Sequence, residues 1–289
     1  MTTLHAPVRP GFEPAFGHRA RLPPVRPQAD PDTDAHRGAS PESPAVRVEG
    51  LTKRFGRTSR PVWSDVSFSV PTGQRVAIIG GNGTGKSTLL RCCLRLIEPD
   101  AGDIHLHGQK LDGRCARTLR HLRSEVGFVF QKHNLVPRLS VLSNVLHGSM
   151  ARTRGPRQWL QSLARSEDRD YAMYCLEQVR LGHLAERRAD HLSGGQSQRV
   201  AVARALMQRP RAIFADEPVA SLDPQAGEEV METFADLARN HGLTLVFVSH
   251  HLEHALTYAE RVLGLRDGRL DLDAPTGRET LGSLRSLYD

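Results

Sequence analysis

Long apolar runs, lysine, paired cysteines and aromatic rings are all scarce in this 289-residue chain. No run of about 18 apolar residues occurs, and the mean hydropathy is -0.40, so no segment is expected to cross a membrane unaided. The four cysteines, Cys92, Cys93, Cys115 and Cys175, include no C-x-x-C and no metal-ligand spacing, which leaves neither a disulfide framework nor a zinc site. Cys93 falls on the apolar face of an expected helix, which makes it a buried, inert thiol, and the sparse cysteines fit a reducing compartment. Aromatics are 5% of residues and are not interleaved with a basic stripe. The net charge of +7, nearly all of it Arg with only Lys53, Lys86, Lys110 and Lys132 as lysines, therefore reads as composition, and no nucleic-acid partner is expected.

Residues 1–45 are rich in Pro, Arg and Asp, lack periodicity, and contain no apolar segment of the kind a secretory signal needs. They cannot bury enough apolar surface to offset chain entropy, so a disordered extension is expected. From Val46 the pattern is ordered. VRVEGL and VSFSV alternate at period two, as half-buried antiparallel strands do. RVAIIG (75–80), VGFVF (126–130), AIFAD (212–216) and TLVFVS (244–249) are short continuous apolar runs, as expected for buried parallel strands. Helical spacing marks Leu89, Leu90, Cys93, Leu94 and Ile97; Val230, Phe234, Leu237 and Ala238; and Leu252, Ala255, Leu256 and Ala259. RVLGL and RLDLD flank a DG turn and predict a hairpin. Between about 133 and 190 the chain reads as mostly helical, with a stripe at Ala172, Cys175, Leu176 and Val179. Alternating strands and helices predict an α/β fold with a mixed, largely parallel sheet, opened by antiparallel strands and interrupted by a helical insertion.

GGNGTGKS, from Gly80 to Ser87, fits G-x-x-x-x-G-K-[ST] between a buried strand and a helix. Gly80, Gly81, Gly83 and Gly85 allow backbone N–H groups to close around phosphate oxygens, with Asn82, Thr84 and Thr88 in the same loop and first turn. Lys86 is expected to reach the β- and γ-phosphates and Ser87 to ligate Mg²⁺. AIFADEP ends a buried strand in Asp216 and Glu217, at the edge of the sheet where ligands bind. Asp216 can hold Mg²⁺ through water, and Glu217 can act as general base toward the attacking water. His250 ends another strand and is expected to contact the γ-phosphate, while His251 and His254 read as surface residues. Gln131 ends VGFVF, where its amide can reach the metal or the water.

A second glycine turn entering a helix, HLSGGQSQRVAVARAL (191–206), raises the question of why one chain carries two phosphate-type loops. In this order the pieces resemble an ABC-type ATPase: P-loop at 80–87, Q-loop at Gln131, LSGGQ at 192–196, the acidic strand at 212–217, SLD at 221–223, and the switch His250. The resemblance covers about residues 46–275, with the helical subdomain at 133–190 and a C-terminal tail at 276–289. It implies the P-loop NTPase fold, with ATP and Mg²⁺ as ligands. Phe55, in KRFG, stands where the family stacks a ring on adenine. The resemblance also answers the question. It implies that two chains pair head to tail, with Ser193, Gly194, Gly195 and Gln196, and Asp223 of the D-loop, serving the partner's nucleotide.

A soluble repair ATPase would need a long coiled coil between P-loop and LSGGQ, a translation ATPase usually carries two cassettes, and a P-loop kinase leaves LSGGQ unexplained. No sustained heptads and one cassette favour the energy subunit of a membrane importer, peripheral on the cytoplasmic face of the bacterial inner membrane. Its partners would be transmembrane permease subunits and, indirectly, a periplasmic solute-binding protein. Leu135, Val136, Leu139, Val141, Leu142, Val145 and Leu146 cluster where the family seats a short permease helix. The stretches at 130–148, 188–206, 216–224 and 260–270 are similar to the phosphonate-transport ATPases. Ser197 and Ser249 depart from that subfamily's pattern, and phosphite, phosphate esters or another oxyanion stay open as solutes.

Overall fold

The computed structural model describes residues 43–56, 60–152 and 164–288. Most of the expected N-terminal extension (residues 1–42) and part of the helical insertion (residues 153–163) lie outside the described residues.

Alternation makes the first two strands pair. Val46, Val48 and Leu51 on β1 (Val46–Lys53) and Val66, Phe68 and Val70 on β2 (Trp63–Val70) are all buried, so both strands must turn one face inward. They run antiparallel with Val46 opposite Val70 and Val48 opposite Phe68. The next strand, β3 (Arg75–Gly80), leaves for a second sheet, while β4 (Ala101–Leu106) and β5 (Gln109–Lys110) complete the first in the order β2-β1-β4-β5.

The second sheet joins β3 to β6 (Val126–Val129), β7 (Ala212–Asp216), β8 (Thr244–Val248), β9 (Arg261–Arg266) and β10 (Arg269–Pro275), in the order β10-β9-β3-β8-β7-β6. All its pairings are parallel except the β9–β10 hairpin. The continuous apolar runs follow from burial on both faces. Val76 and Ile78 of β3 and Ala212 and Phe214 of β7 enter the core shared with the antiparallel sheet. Ala77, Ile79, Ile213 and Ala215 enter the core on the opposite side.

Helices α1 (Lys86–Cys92) and α2 (Ala116–Ser124) lie on the first side. The insertion contributes α3 (Val141–Leu146) and α4 (Ser166–Gln178), which pack with α5 (Gly194–Leu206). The α4 stripe is as expected: Ala172, Cys175, Leu176 and Val179 are fully buried. Helix α6 (Pro224–His241) has its ends written into the sequence. Asp223 Oδ1 accepts the Ala226 N–H at 3.0 Å, Pro224 stands at the first position, and Gly242 closes the helix in the left-handed region. α7 (Leu252–Tyr258) and the short α8 (Leu281–Arg285) follow. The last residues are tied to the core, since Leu284 and Leu287 are buried in it and the Tyr288 hydroxyl accepts the Gly80 N–H at 3.4 Å.

Cys93 is buried as expected, and so are Cys92 and Cys175; burial raises all three thiols, Cys92 to about 12. His254 departs from its expected surface position. It is buried, with Nε2 3.0 Å from Glu228 Oε1, because α7 packs against α6 across a contact that residue spacing along α7 does not reveal. No helix among the described residues is long and apolar enough to cross a membrane.

A single buried amide pins the segment that follows Gln131. Asn144 Oδ1 accepts the Val136 N–H at 2.7 Å, and Nδ2 donates to the carbonyls of Val136 and Ser140 at 3.1 and 3.0 Å. Asn144→Ala leaves three backbone groups without these bonds, a loss of about 2 kcal/mol. The melting temperature should fall by about 4–8 °C while ATP affinity is retained; a calorimetric scan showing no shift would refute this anchoring role.

Candidate active site

Parallel register brings the expected site residues to one edge. β8 lies between β3 and β7, with Val248 opposite both Ile78 and Asp216. Strands so paired are about 4.8 Å apart. The loop leaving Gly80, the turn holding His250 and the turn holding Glu217 therefore emerge side by side.

The loop needs its glycines for space and for conformation. Gly83 and Gly85 have φ of 78° and 89°, where side chains are strained. A Cβ on Gly85 would stand 2.4 Å from Val62 Cγ1 and 2.8 Å from the Trp63 ring. Trp63 is fully buried and its Nε1–H donates to the Gly85 carbonyl at 3.3 Å, so the antiparallel sheet supports the loop from below. Thr84 Oγ1 donates to the Gly81 carbonyl at 2.9 Å and tightens the turn. Gly85 offers α1 no side-chain cap, which leaves first-turn N–H groups free of a competing side chain.

Lys86 is buried and its Nζ donates to the carbonyls of Gly80 and Gly81, both at 2.8 Å. Burial lowers its pKa from the usual lysine range, with the charges of Glu217 and Asp216 opposing that shift. Across from it, His250 Nε2 is 2.7 Å from Glu217 Oε1. Glu217 holds a left-handed backbone, φ 49°, uncommon for a non-glycine residue. The next residue back, Asp216, is 1% exposed. Its Oδ2 accepts from Arg91 Nε and Nη2 at 3.0 and 2.8 Å, while Oδ1 is buried with no hydrogen-bond partner.

An open cavity of about 400 Å³ lies between the loop and the Glu217–His250 pair. Asn82, Gly83, Gly85, Lys86, Ser87 and Thr88 line one side, Glu217 and His250 another, and Phe55 and Val62 a third. Phe55 is 54% exposed at this rim. Ser87 and Glu217 line the cavity with oxygen donors; Asp216, one residue back from Glu217, does not line it, but its orphan Oδ1 is a hard oxygen donor of the kind Mg²⁺ takes, directly or through water.

Other expected residues lie elsewhere in the same chain. Gln131 is exposed and does not line the cavity. Ser193 and Gln196 form a capping box at the start of α5: Ser193 Oγ accepts the Gln196 N–H at 3.2 Å, and Gln196 Oε1 accepts the Ser193 N–H at 3.0 Å. Gly194 is exposed and Gly195 buried against Ala226. Asp223 caps α6, and none of these five lines the cavity. Three contributors are absent from the sequence reading: Arg91, Val62 and Trp63. Arg91 carried a possible signal, since it follows Ser87 by one helical turn and shares its face.

A ligand for this cavity must offer a flat apolar end to Phe55 and several oxyanions to the loop and Lys86. A nucleoside triphosphate meets both needs, which makes the chain a P-loop nucleotide hydrolase. Comparison with known proteins narrows the class. The family profile described as "ABC transporter" matches residues 63–220. Two curated relatives are the "Phosphonates import ATP-binding protein PhnC 2" of Pseudomonas syringae pv. syringae (strain B728a) and the "Phosphonates import ATP-binding protein PhnC" of Frankia casuarinae. The first is 43% identical over 84% of this chain and 89% of its own. The second is 47% identical over 81% and 91%. A solved neighbour, the dimeric post-hydrolysis ATP-binding cassette MJ0796 bound to ADP and Pi, aligns with a TM-score of 0.69. It is 32% identical, over 80% of this chain and 98% of its own. The chain belongs to the ABC transporter family, and it is an ATP-binding ATPase of that family.

Gly85→Ala adds a Cβ where Val62 and Trp63 already stand and imposes left-handed strain, so the loop must shift. ATP affinity should drop at least about tenfold, or about 1.4 kcal/mol, in equilibrium binding. An unchanged affinity would show that this loop conformation is not what holds the phosphates.

Proposed function

We propose that the chain is the ATP-hydrolysing subunit of a phosphonate importer. The observation that carries the hydrolytic part is the one cavity uniting the phosphate loop with the Glu217–His250 pair. The solute rests on the printed names of the relatives, because this subunit's site handles ATP and not the transported molecule.

In this mechanism the adenine stacks on Phe55. Phosphate oxygens replace the Gly80 and Gly81 carbonyls as acceptors for Lys86, which draws the β- and γ-phosphates against the backbone N–H groups. Magnesium would be held by Ser87 Oγ and Asp216 Oδ1, with Gln131 approaching from its turn, and would supply neutralisation of phosphate charge. Glu217 accepts a proton from the attacking water; the water oxygen bonds to the γ-phosphorus as its bond to the β–γ bridging oxygen breaks, leaving ADP and phosphate. His250 steadies the Glu217 carboxylate through the Nε2–Oε1 contact and approaches the γ-phosphate.

The rest of the assembly belongs to the same proposal. Two copies pair head to tail, and Ser193, Gly194, Gly195, Gln196 and Asp223 close over the partner's nucleotide. The exposure of Ser193 and Gly194 on a helix start, and the dimeric neighbour, support this reading. ATP then acts as the glue, and hydrolysis releases the pair. Residues 46–275 form the ATPase domain, with the C-terminal tail packed back onto its core through Leu284 and Leu287, and residues 133–190 its helical subdomain, which docks on transmembrane permease subunits at the cytoplasmic face of the bacterial inner membrane. A periplasmic solute-binding protein delivers the solute.

Glu217→Gln keeps the shape but removes the base, so hydrolysis should fall by about 10²–10⁴ and an ATP-bound dimer should persist on a sizing column. Adding Gly194→Asp places a carboxylate at an exposed position whose nearest neighbour is the flexible end of Leu222. The double variant should bind ATP yet elute as a monomer; a dimer at that position would show that LSGGQ does not act across the interface.

Cells lacking this subunit should lose growth on a phosphonate as sole phosphorus source and keep growth on phosphate. Unchanged phosphonate growth, with a defect for another oxyanion such as phosphite, would refute the solute.

A further inference from the structure

The ion pair between Arg91 and Asp216 has an asymmetry that charge compensation alone does not require. A buried carboxylate needs a partner, and a guanidinium supplies one. A counter-ion could satisfy that need by spreading its N–H groups over both oxygens, as fork-to-fork pairs do. Here both available prongs, Nε and Nη2, converge on Oδ2 alone, at 3.0 and 2.8 Å. Oδ1 is left bare, buried and without any hydrogen-bond partner. Arg91 and Ser87 sit on one face of α1, separated by one turn. One helix thus presents a hydroxyl that lines the cavity and a guanidinium that grips the neighbouring strand end across a sequence separation of 125 residues.

We propose that Arg91 is a positioning residue for the divalent cation of the ATP site: by clamping Oδ2 it fixes the Asp216 rotamer so that Oδ1 is the oxygen offered to the metal and its water. The inference rests on the reading of Asp216 as a metal-site residue. Two features make the clamp effective. Asp216 closes a strand that is buried at every position, so its backbone is held by the sheet and only the side-chain torsions remain to be fixed. Arg91 brings two N–H groups of its rigid guanidinium to the one oxygen, which anchors Oδ2 in place, whereas an ammonium would act as a point charge. Lys86, the other nearby cation, is turned to the Gly80 and Gly81 carbonyls. Partners that orient a metal ligand in this way typically change metal affinity by about 10–100-fold when removed.

A competing reading has the opposite sign. If Arg91 merely fills the place of the cation, removing it would tighten metal binding. The two are separated by titrating Mn²⁺, followed by electron paramagnetic resonance, into the full chain saturated with a non-hydrolysable ATP analogue. The analogue alone is titrated in parallel. Arg91→Lys and Arg91→Met should each raise the half-saturating Mn²⁺ by about tenfold or more, with Met at least as large as Lys. Their affinity for the analogue in EDTA should stay within about twofold of the parent, since the loop and Lys86 are untouched; a general loss of structure would lower that affinity too. Asp216→Asn serves as the reference for the underlying reading and should weaken Mn²⁺ at least as much. If Asp216→Asn weakens Mn²⁺ while the Arg91 variants bind it equally well or more tightly, the positioning role is wrong and the metal site stands. If Asp216→Asn leaves Mn²⁺ unchanged, both are wrong. Should Arg91→Met fail to fold, Arg91→Lys, which keeps the charge, carries the comparison alone.

Discussion

Everything in this site depends on the parallel pairing of β3, β8 and β7. With Val248 set between Ile78 and Asp216, three turns from distant parts of the chain leave the sheet within two strand spacings. That register is held by burial on both faces. A slip of one residue would exchange the side chains feeding the two cores, sending Ala77 and Ile79 where Val76 and Ile78 belong. The hydrophobic cost of such a slip spreads over every strand, so the chemistry at the edge is positioned by packing far beneath it.

At that edge backbone strain, close packing, desolvation and unsatisfied polarity fall on neighbouring residues. Glu217 has a left-handed backbone, Gly85 is pressed against Trp63, Lys86 is desolvated against loop carbonyls, and Asp216 keeps one oxygen bare. In the proposed mechanism a triphosphate with its cation would relieve two of these, offering Lys86 anionic acceptors and giving Oδ1 a partner. The site is thus pre-shaped for a ligand of high negative charge, and binding exchanges internal contacts for stronger charge-assisted ones.

The LSGGQ turn illustrates how one set of residues serves local structure and assembly together. Within the chain, Ser193 and Gln196 complete a reciprocal cap and Gly195 lets α5 approach Ala226 of α6. That packing presents Ser193 and Gly194 outward at a helix start. Asp223 does the same for α6, its side chain holding the cap while the turn before it stays exposed. The proposed partner contacts therefore build on termini that are already formed in the single chain.

Much of this was legible in the residues, because the signals were local. Continuous runs such as RVAIIG and AIFAD marked strands buried on both sides, the spacing of Gly80, Gly85, Lys86 and Ser87 marked the loop, and the α4 stripe marked its buried face. The acidic strand end and His250 could be placed at the ligand edge because parallel sheets bind there. Tertiary structure alone decided which strands are neighbours, that Trp63 underlies Gly85, that Gln131 stands outside the cavity of its own chain, and that His254 is buried against Glu228. It also decided that Arg91 grips one oxygen of Asp216. The physical reason is range: a turn or an amphipathic face is set by residues a few positions apart, whereas these contacts join positions tens to more than a hundred residues apart, and only the order and register of the sheet bring them together.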